Sequence, residues 1–103
     1  MLPNPAPTIE QVLAPEWEEW VTANNAVVLD VREPLEWAMG TLPDSVKISL
    51  AFLPTGLDQL DRSRPILVVC RAGNRSQMAA QFLQQNGFNV ANMFGGLASI
   101  GLA

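Results

Sequence analysis

The hydrophobic positions of the chain fall into short apolar runs separated by helical patterns. Two compact runs, AVVLDV at 26–31 and ILVVC at 66–70, are typical of strands buried on both faces. Shorter apolar segments at 9–12, 46–48 and 90–94 predict further strands. Buried strands that alternate with helices predict an α/β fold, with a parallel sheet covered by helices on both faces.

Prolines mark the first two helices. Pro15 suits the first turn of a helix that reaches about Ala23, because that position needs no N–H donor. Pro34 opens a shorter helix that Gly40 ends. The first of these helices has one apolar face, which we expect to pack in the core: Trp17, Trp20 and Val21.

The longest helix is predicted from Ser76 to Asn86, with Gly87 as its C-cap residue. A single helical turn is predicted earlier, at 56–60. The apolar positions of the long helix gather on one face: Met78, Ala79, Phe82 and Leu83.

Length and charge restrict the class of protein. The 103 residues suffice for one domain, which we expect at 9–103 after an irregular, proline-rich lead-in at 1–8. A net charge of −4 argues against a nucleic-acid or membrane partner, because such binding needs a basic face. One cysteine cannot form an internal disulfide, and the amino terminus lacks signal-peptide features. The sequence therefore favours a cytoplasmic protein.

The candidate chemistry lies in CRAGNR, residues 70–75, between a buried strand and the longest helix. Ligands bind at such junctions in open α/β sheets. The glycine and asparagine of this loop permit unusual backbone angles, so that its N–H groups can converge as an anion nest beside the helix dipole. We expect Cys70 to be a thiolate held by backbone dipoles and by Arg71 and Arg75.

The free energy required to favour the thiolate form of Cys70 is moderate. Lowering the pKa of a free thiol by about two units takes about 2.7 kcal/mol, of which a helix terminus supplies only about 0.3 to 1 kcal/mol. The nest and the arginines are expected to supply the rest. The chain has no histidine, which excludes a Cys–His dyad and leaves a lone thiolate that is not a metal ligand set.

Structural alternatives stay open for these residues. The alternative for Cys70 is an inert small hydrophobe, which leaves the neighbouring arginines unexplained. The alternative for Arg71 is a solvated surface charge, and for Arg75 a structural role in closing the loop. Asp30 and Arg32 follow the other central strand, and a structural salt bridge explains them better than catalysis does.

Three segments resemble the rhodanese sulfurtransferases. CRAGNRS at 70–76 resembles the active-site loop of that family, and LDVREPLEW at 29–37 resembles its second signature. NVANMFGG at 89–96 resembles its final strand and glycine pair. The segments fall in the family's order, and the resemblance extends from about Ile9 to Ile100.

The resemblance implies a five-stranded parallel sheet and a thiosulfate sulfurtransferase. Cys70 would take a sulfane sulfur from a small anionic donor and pass it to cyanide, to a thiol or to a sulfur-accepting protein. Arg71 matches a position that attracts the donor, and two arginines favour thiosulfate over mercaptopyruvate. No cofactor or metal is expected. The implied substrate-binding residues, whose amides hold the persulfide while Arg75 closes the loop, are Arg71, Ala72, Gly73, Asn74 and Arg75.

Other functions remain as alternatives. Related cell-cycle phosphatases have one more residue between cysteine and arginine than the C-x4-R spacing of Cys70 and Arg75, and no general acid is evident here. A persulfide carrier that serves a partner protein is a second alternative. A non-catalytic rhodanese-like binding module is a third, although such modules often lack the cysteine.

Two segments depart from the family's pattern. GTLPDS at 40–45 stands where the family usually has a Gly-His-x-Pro-Gly-Ala run. Ile100 stands in place of the usual tryptophan, so we expect the terminal helix to be short or missing.

Overall fold

The two compact apolar runs form neighbouring strands at the centre of a five-stranded parallel sheet. The computed structural model describes residues 8–103. Its strands are β1 (Glu10–Leu13), β2 (Val27–Asp30), β3 (Val46–Lys47), β4 (Ile66–Val69) and β5 (Val90–Phe94). Their order across the sheet is β1-β5-β4-β2-β3, and every neighbouring pair is parallel. The predicted α/β fold and the five-stranded parallel sheet are confirmed.

Helices cover both faces of this sheet. The α-helices are α1 (Trp17–Asn24), α2 (Pro34–Trp37) and α3 (Asn74–Gln85). Shorter 3₁₀ helices lie at Ala14–Glu16, Leu50–Thr55, Leu57–Gln59 and Leu97–Ile100.

Period-2 alternation along β4 assigns its side chains to two separate cores. Leu67 and Val69 belong to the cluster against which α1 packs. Ile66 and Val68 belong to the cluster that includes the buried face of α3, and Cys70 continues this face. The predicted apolar face of α1 is confirmed, since three side chains pack partly buried against the first cluster: Trp17, Trp20 and Val21.

Three details differ from the sequence prediction. Helix α3 begins at Asn74 rather than Ser76, because Gly73 already provides the N-cap. Met78 is 59% exposed and was wrongly placed on the packed face, which includes Ala79, Ala80 and Leu83 and, partly buried, the predicted Phe82. The single turn predicted at 56–60 is part of two consecutive 3₁₀ helices that begin six residues earlier.

A buried ion pair closes the carboxyl end of β2. Asp30 and Arg32 are both fully buried, and Arg32 Nη2 lies 2.8 Å from Asp30 Oδ2. The backbone N–H of Arg32 also donates to Asp30 Oδ1 over 3.0 Å. A second bond from Nη2, 2.7 Å long, reaches the carbonyl of Gly40. The predicted structural salt bridge is therefore confirmed, and it ties the end of β2 to the turn after α2.

The predicted lead-in at 1–8 lies outside the described residues apart from Thr8, so its irregular character stays a prediction. Within the described part of the chain, every helix is too short or too polar to cross a membrane.

Candidate active site

Cys70 lies where the central strand of the sheet ends. It directly follows β4, and only 1% of its surface is exposed. Its Sγ accepts hydrogen bonds from two backbone N–H groups, those of Gly73 at 3.1 Å and Ser76 at 3.4 Å. Both donors lie at the start of α3, where unpaired amides and the helix dipole favour negative charge. The sulfur therefore occupies an anion-binding position.

The turn that aims these amides depends on Gly73. Its φ of +105° is a conformation that residues with a side chain rarely adopt. A Cβ at this position would also approach the carbonyl oxygen of Met93 to 3.4 Å. Gly73 therefore lets the chain reverse from β4 into α3 while its own N–H faces the sulfur.

The carbonyl side of the loop is held by the last 3₁₀ helix. The N–H groups of Leu97 and Ala98 donate to the carbonyls of Cys70 and Arg71, each over 2.9 Å. Gly96 has a φ of +68°, and a Cβ on it would overlap the carbonyl oxygen of Arg71. Because these carbonyls are bound on the outside of the loop, the loop amides are left to face inward.

Arg75 is held by a carboxylate of α2. Its Nη1 and Nη2 donate to the two oxygens of Glu36 over 2.6 and 2.8 Å. Glu36 is itself fixed, because its Oε1 accepts the backbone N–H of Glu33 over 3.0 Å. The Arg75 hydrogen bonds lower the pKa of Glu36 to about 2, and the Glu33 amide adds to this effect. Glu36 in turn raises the pKa of Arg75, with a smaller contribution from the charge of Cys70.

The other predicted site residues have different surroundings. Arg71 is exposed, and its side chain makes no hydrogen bond or ion pair with any residue of 8–103. Ala72 and Asn74 are exposed as well. The loop thus combines a buried sulfur, an Arg75 whose charge is paired with Glu36 and an Arg71 whose charge lies in solvent.

Two polar side chains outside the predicted set of site residues contact Cys70 directly or through one another. Ser76 Oγ lies 3.2 Å from Cys70 Sγ, and it also donates to Asn92 Oδ1 over 2.5 Å. Both residues are buried. The sequence contained one signal, since Asn92 interrupts the otherwise apolar run VANMF of β5. Glu36 was also missed, although its spacing from Glu33 is that of a capping box, which the structure contains.

A separate groove lies at the opposite edge of the sheet. Its volume is about 890 Å³, and its lining includes Val27 and Ile66 at the amino ends of β2 and β4. It contains no residue of the loop around Cys70. The chemistry of the loop, rather than cavity size, therefore identifies the candidate active site.

Comparisons with known proteins agree with this geometry. The sequence profile of the Rhodanese-like domain matches residues 13–102. A sulfurtransferase from Allochromatium vinosum is 31% identical over 74 residues, which are 71% of this chain and 69% of that protein. The structure of a rhodanese-related protein from Thermoplasma volcanium is similar with a TM-score of 0.80 and 36% identity, over 87% of this chain and 88% of that one. An NAD-dependent persulfide reductase from A. fulgidus contains a similar unit, with a TM-score of 0.73 and 32% identity, over 87% of this chain and 15% of that one.

Replacing Gly96 with alanine is expected to displace the loop. The new Cβ overlaps a backbone oxygen, which cannot rotate away, so we expect a loss of about 2 to 4 kcal/mol in the free energy of unfolding. Gly101→Ala is the matched control, since its φ is also positive but nothing lies within 4 Å of the added atom. Urea unfolding measures both variants. Equal losses in the two would contradict the contact with Arg71.

The ion pair between Glu36 and Arg75 is expected to make stability depend on pH in acid. The pKa of Glu36 is about 2 in the folded chain against an ordinary 4.5, so its contribution is complete above about pH 4.5 and is lost as the pH falls toward 2. The side chain of Arg75 is 34% exposed and that of Glu36 is 21% exposed, so solvent screening limits the effect to about 1 to 2 kcal/mol.

Urea unfolding of the wild type and Glu36→Gln at a series of pH values checks this expectation. The variant should be less stable at neutral pH, and the difference should shrink as the pH approaches 2. Glu18→Gln, which changes an exposed carboxylate of α1, is the control. A constant difference between wild type and Glu36→Gln across the acid range would contradict the assignment.

Proposed function

The chain belongs to the rhodanese-like domain family, a family of sulfurtransferases, and we propose that it transfers sulfane sulfur from thiosulfate through a Cys70 persulfide. The observation that carries this proposal is the surroundings of the sulfur. Two backbone amides donate to Sγ at the amino end of α3. Arg71 adds a solvent-facing positive charge to the same loop. These features suit an anionic nucleophile that receives an anionic donor.

In the first step the Cys70 thiolate attacks the outer sulfur of thiosulfate. A bond forms between Sγ and that sulfur, the sulfur–sulfur bond within thiosulfate breaks, and its electron pair leaves with sulfite. In the second step cyanide or an acceptor thiolate attacks the outer sulfur of the persulfide. The bond to Sγ breaks, and Cys70 leaves as a thiolate, so that the cycle needs no external oxidant or reductant.

The loop residues have distinct roles in this mechanism. The backbone amides of residues 71–75 hold the outer sulfur, and Arg71 attracts the donor from solvent. Arg75 keeps α3 fixed to α2 through Glu36, which holds the loop closed. Because both terminal nitrogens of Arg75 already bind Glu36, this arginine is poorly placed to receive a phosphate. That engagement supports sulfur transfer over a phosphatase.

A persulfide carrier is the second candidate. Cys70 is the only cysteine of the sequence, so the chain cannot resolve its own persulfide as an internal disulfide. The sulfur must leave to an outside nucleophile, which a partner protein can supply. The NAD-dependent persulfide reductase from A. fulgidus supports this alternative, because its similar unit makes up only 15% of a protein that is named for persulfide chemistry. A unit of this kind therefore occurs next to other parts of the same protein, to which a carrier could pass its sulfur.

Intact-mass measurement of reductant-free protein tests the persulfide cycle. Incubation with thiosulfate should add the mass of one sulfur atom, and cyanide should remove it. Cys70→Ser should gain nothing, whereas Ser63→Ala, a change at an exposed site before β4, should behave as wild type. Absence of the added mass after incubation with thiosulfate would overturn the assignment of the donor. Loading in Cys70→Ser would overturn the role of Cys70.

Arg71→Ala is expected to weaken donor capture without changing the chemical step. Loss of one exposed charge should raise the KM for thiosulfate about threefold to fivefold with little change in kcat, and added salt should reduce the difference. Arg64→Ala removes the same charge at the opposite edge of the sheet and is the control. Steady-state kinetics with cyanide as acceptor measure both. Equal changes in KM would indicate a net-charge effect rather than a role for Arg71.

A further inference from the structure

The orientation of the Asn92 amide is fixed by a backbone carbonyl, which can only accept a hydrogen bond, and by the oxygen of a second, oriented amide. Asn92 Nδ2 lies 3.3 Å from the carbonyl oxygen of Gly73 and 2.9 Å from Gln11 Oε1. Gln11 is oriented in the same way, since its Nε2 faces the carbonyl oxygen of Ile9 at 3.2 Å. A backbone carbonyl cannot donate, so the nitrogen of each amide must face it. The oxygen of Asn92 is consequently the atom that faces Ser76.

This orientation determines the direction of the Ser76 hydroxyl. Asn92 Oδ1 has no proton to give, so the hydrogen bond of 2.5 Å between the two side chains uses the proton of Ser76. A hydroxyl has one proton. Toward Cys70 Sγ, which lies 3.2 Å away, Ser76 therefore presents a lone pair.

We propose that Asn92 is a positioning residue that holds the Ser76 proton away from Cys70, so that the hydroxyl accepts a hydrogen bond from the thiol instead of donating one to the thiolate. The two amide donors of Gly73 and Ser76 favour charge on the sulfur, whereas the lone pair of Ser76 opposes it. Asn92 thereby adjusts the pH range over which the nucleophile forms.

The Ser76 lone pair destabilises the free thiolate more than it destabilises the persulfide. This consequence rests on the proposed function. In a persulfide the negative charge moves to the outer sulfur, about 2 Å beyond Sγ. The Ser76 lone pair then faces a sulfur that carries neither the proton nor the full charge. The network opposes the bare thiolate more strongly than the loaded form.

The charged groups near Cys70 also affect the balance between its thiol and its thiolate. They are the same in the wild type and in the variants that are titrated below. They come from the loop, from α3 and from the segment that opens α2: Arg71, Arg75, Glu33 and Glu36. The Asp30–Arg32 pair at the end of the neighbouring β2 is closed on itself and on the carbonyl of Gly40. Asn92 on β5 and Gln11 on β1 are uncharged. Replacing Ser76 or Asn92 by an uncharged residue therefore leaves the formal charges unchanged.

The experiment is a pH titration of the thiolate by its ultraviolet absorbance, with Cys70→Ser subtracted as background. The sequence suits this measurement, because it contains one cysteine, no tyrosine and no histidine. Ser76→Ala should lower the midpoint by about half a pH unit or more, since the thiol loses its acceptor. Asn92→Leu should lower it by about one unit, a tenfold change in the ionisation constant, because the freed Ser76 proton can then reach the sulfur.

The double variant Ser76→Ala, Asn92→Leu tests whether Asn92 acts on Cys70 through the Ser76 hydroxyl. In the Ser76→Ala background, Asn92→Leu should cause no further shift, because the proton that Asn92 holds is gone. Ser63→Ala and Asn89→Leu, at exposed positions outside the network, are the matched controls and should titrate as wild type. A shift by Asn92→Leu that persists without the Ser76 hydroxyl would show a structural effect and overturn the proposal.

The direction in which Ser76→Ala shifts the midpoint of the thiolate titration decides the proposal even if Asn92→Leu does not fold. A raised midpoint would mean that the hydroxyl donates to the thiolate, contrary to the proposal. The titration uses no sulfur donor. Its outcome is therefore separate from failure of thiosulfate to load Cys70.

Discussion

The loop around Cys70 depends on two backbone hydrogen bonds that join it to the last 3₁₀ helix. The amides of Leu97 and Ala98 bind the carbonyls of Cys70 and Arg71, and Gly96 permits the close approach that these bonds need. Because these carbonyls bind the C-terminal segment on the outside of the loop, the amides of Gly73 and Ser76 can face the sulfur on the inside. The anion-binding position at the sulfur is thus a consequence of how the C-terminal segment packs, although that segment contributes no side chain to it.

The electrostatics of the site follow from the unequal surroundings of its two arginines. Arg75 is compensated by Glu36, so its main effect is mechanical, because it links α3 to α2. Arg71 lies in solvent and is unpaired within residues 8–103, so its charge can act on an approaching anion but contributes little to stability. Under the proposed mechanism, closing the loop and attracting the donor are therefore tasks of different residues that look alike in the sequence.

Local patterns predicted the features that depend on neighbouring residues. Runs of apolar residues located the central strands, and the position of Cys70 after one of them located the candidate site. The start of α3 was misplaced because Gly73 caps the helix in a conformation that the pattern does not reveal. The pairs Glu36–Arg75 and Ser76–Asn92 could not be derived from spacing, because each joins elements that only the folded sheet brings together.

Burial of the sulfur limits which molecules can react with Cys70. Only 1% of Cys70 is exposed, so large oxidants and protein thiols have little access to Sγ itself. Under the proposed mechanism, a persulfide places the reactive atom one bond, about 2 Å, beyond Sγ. If Ser76 also opposes charge on Sγ, the empty form is less reactive toward large oxidants and protein thiols while the small donor thiosulfate can still load it, whereas the loaded form carries its charge on the outer sulfur. An acceptor would then meet the site chiefly when it holds sulfur, which reconciles a buried nucleophile with transfer to an outside partner.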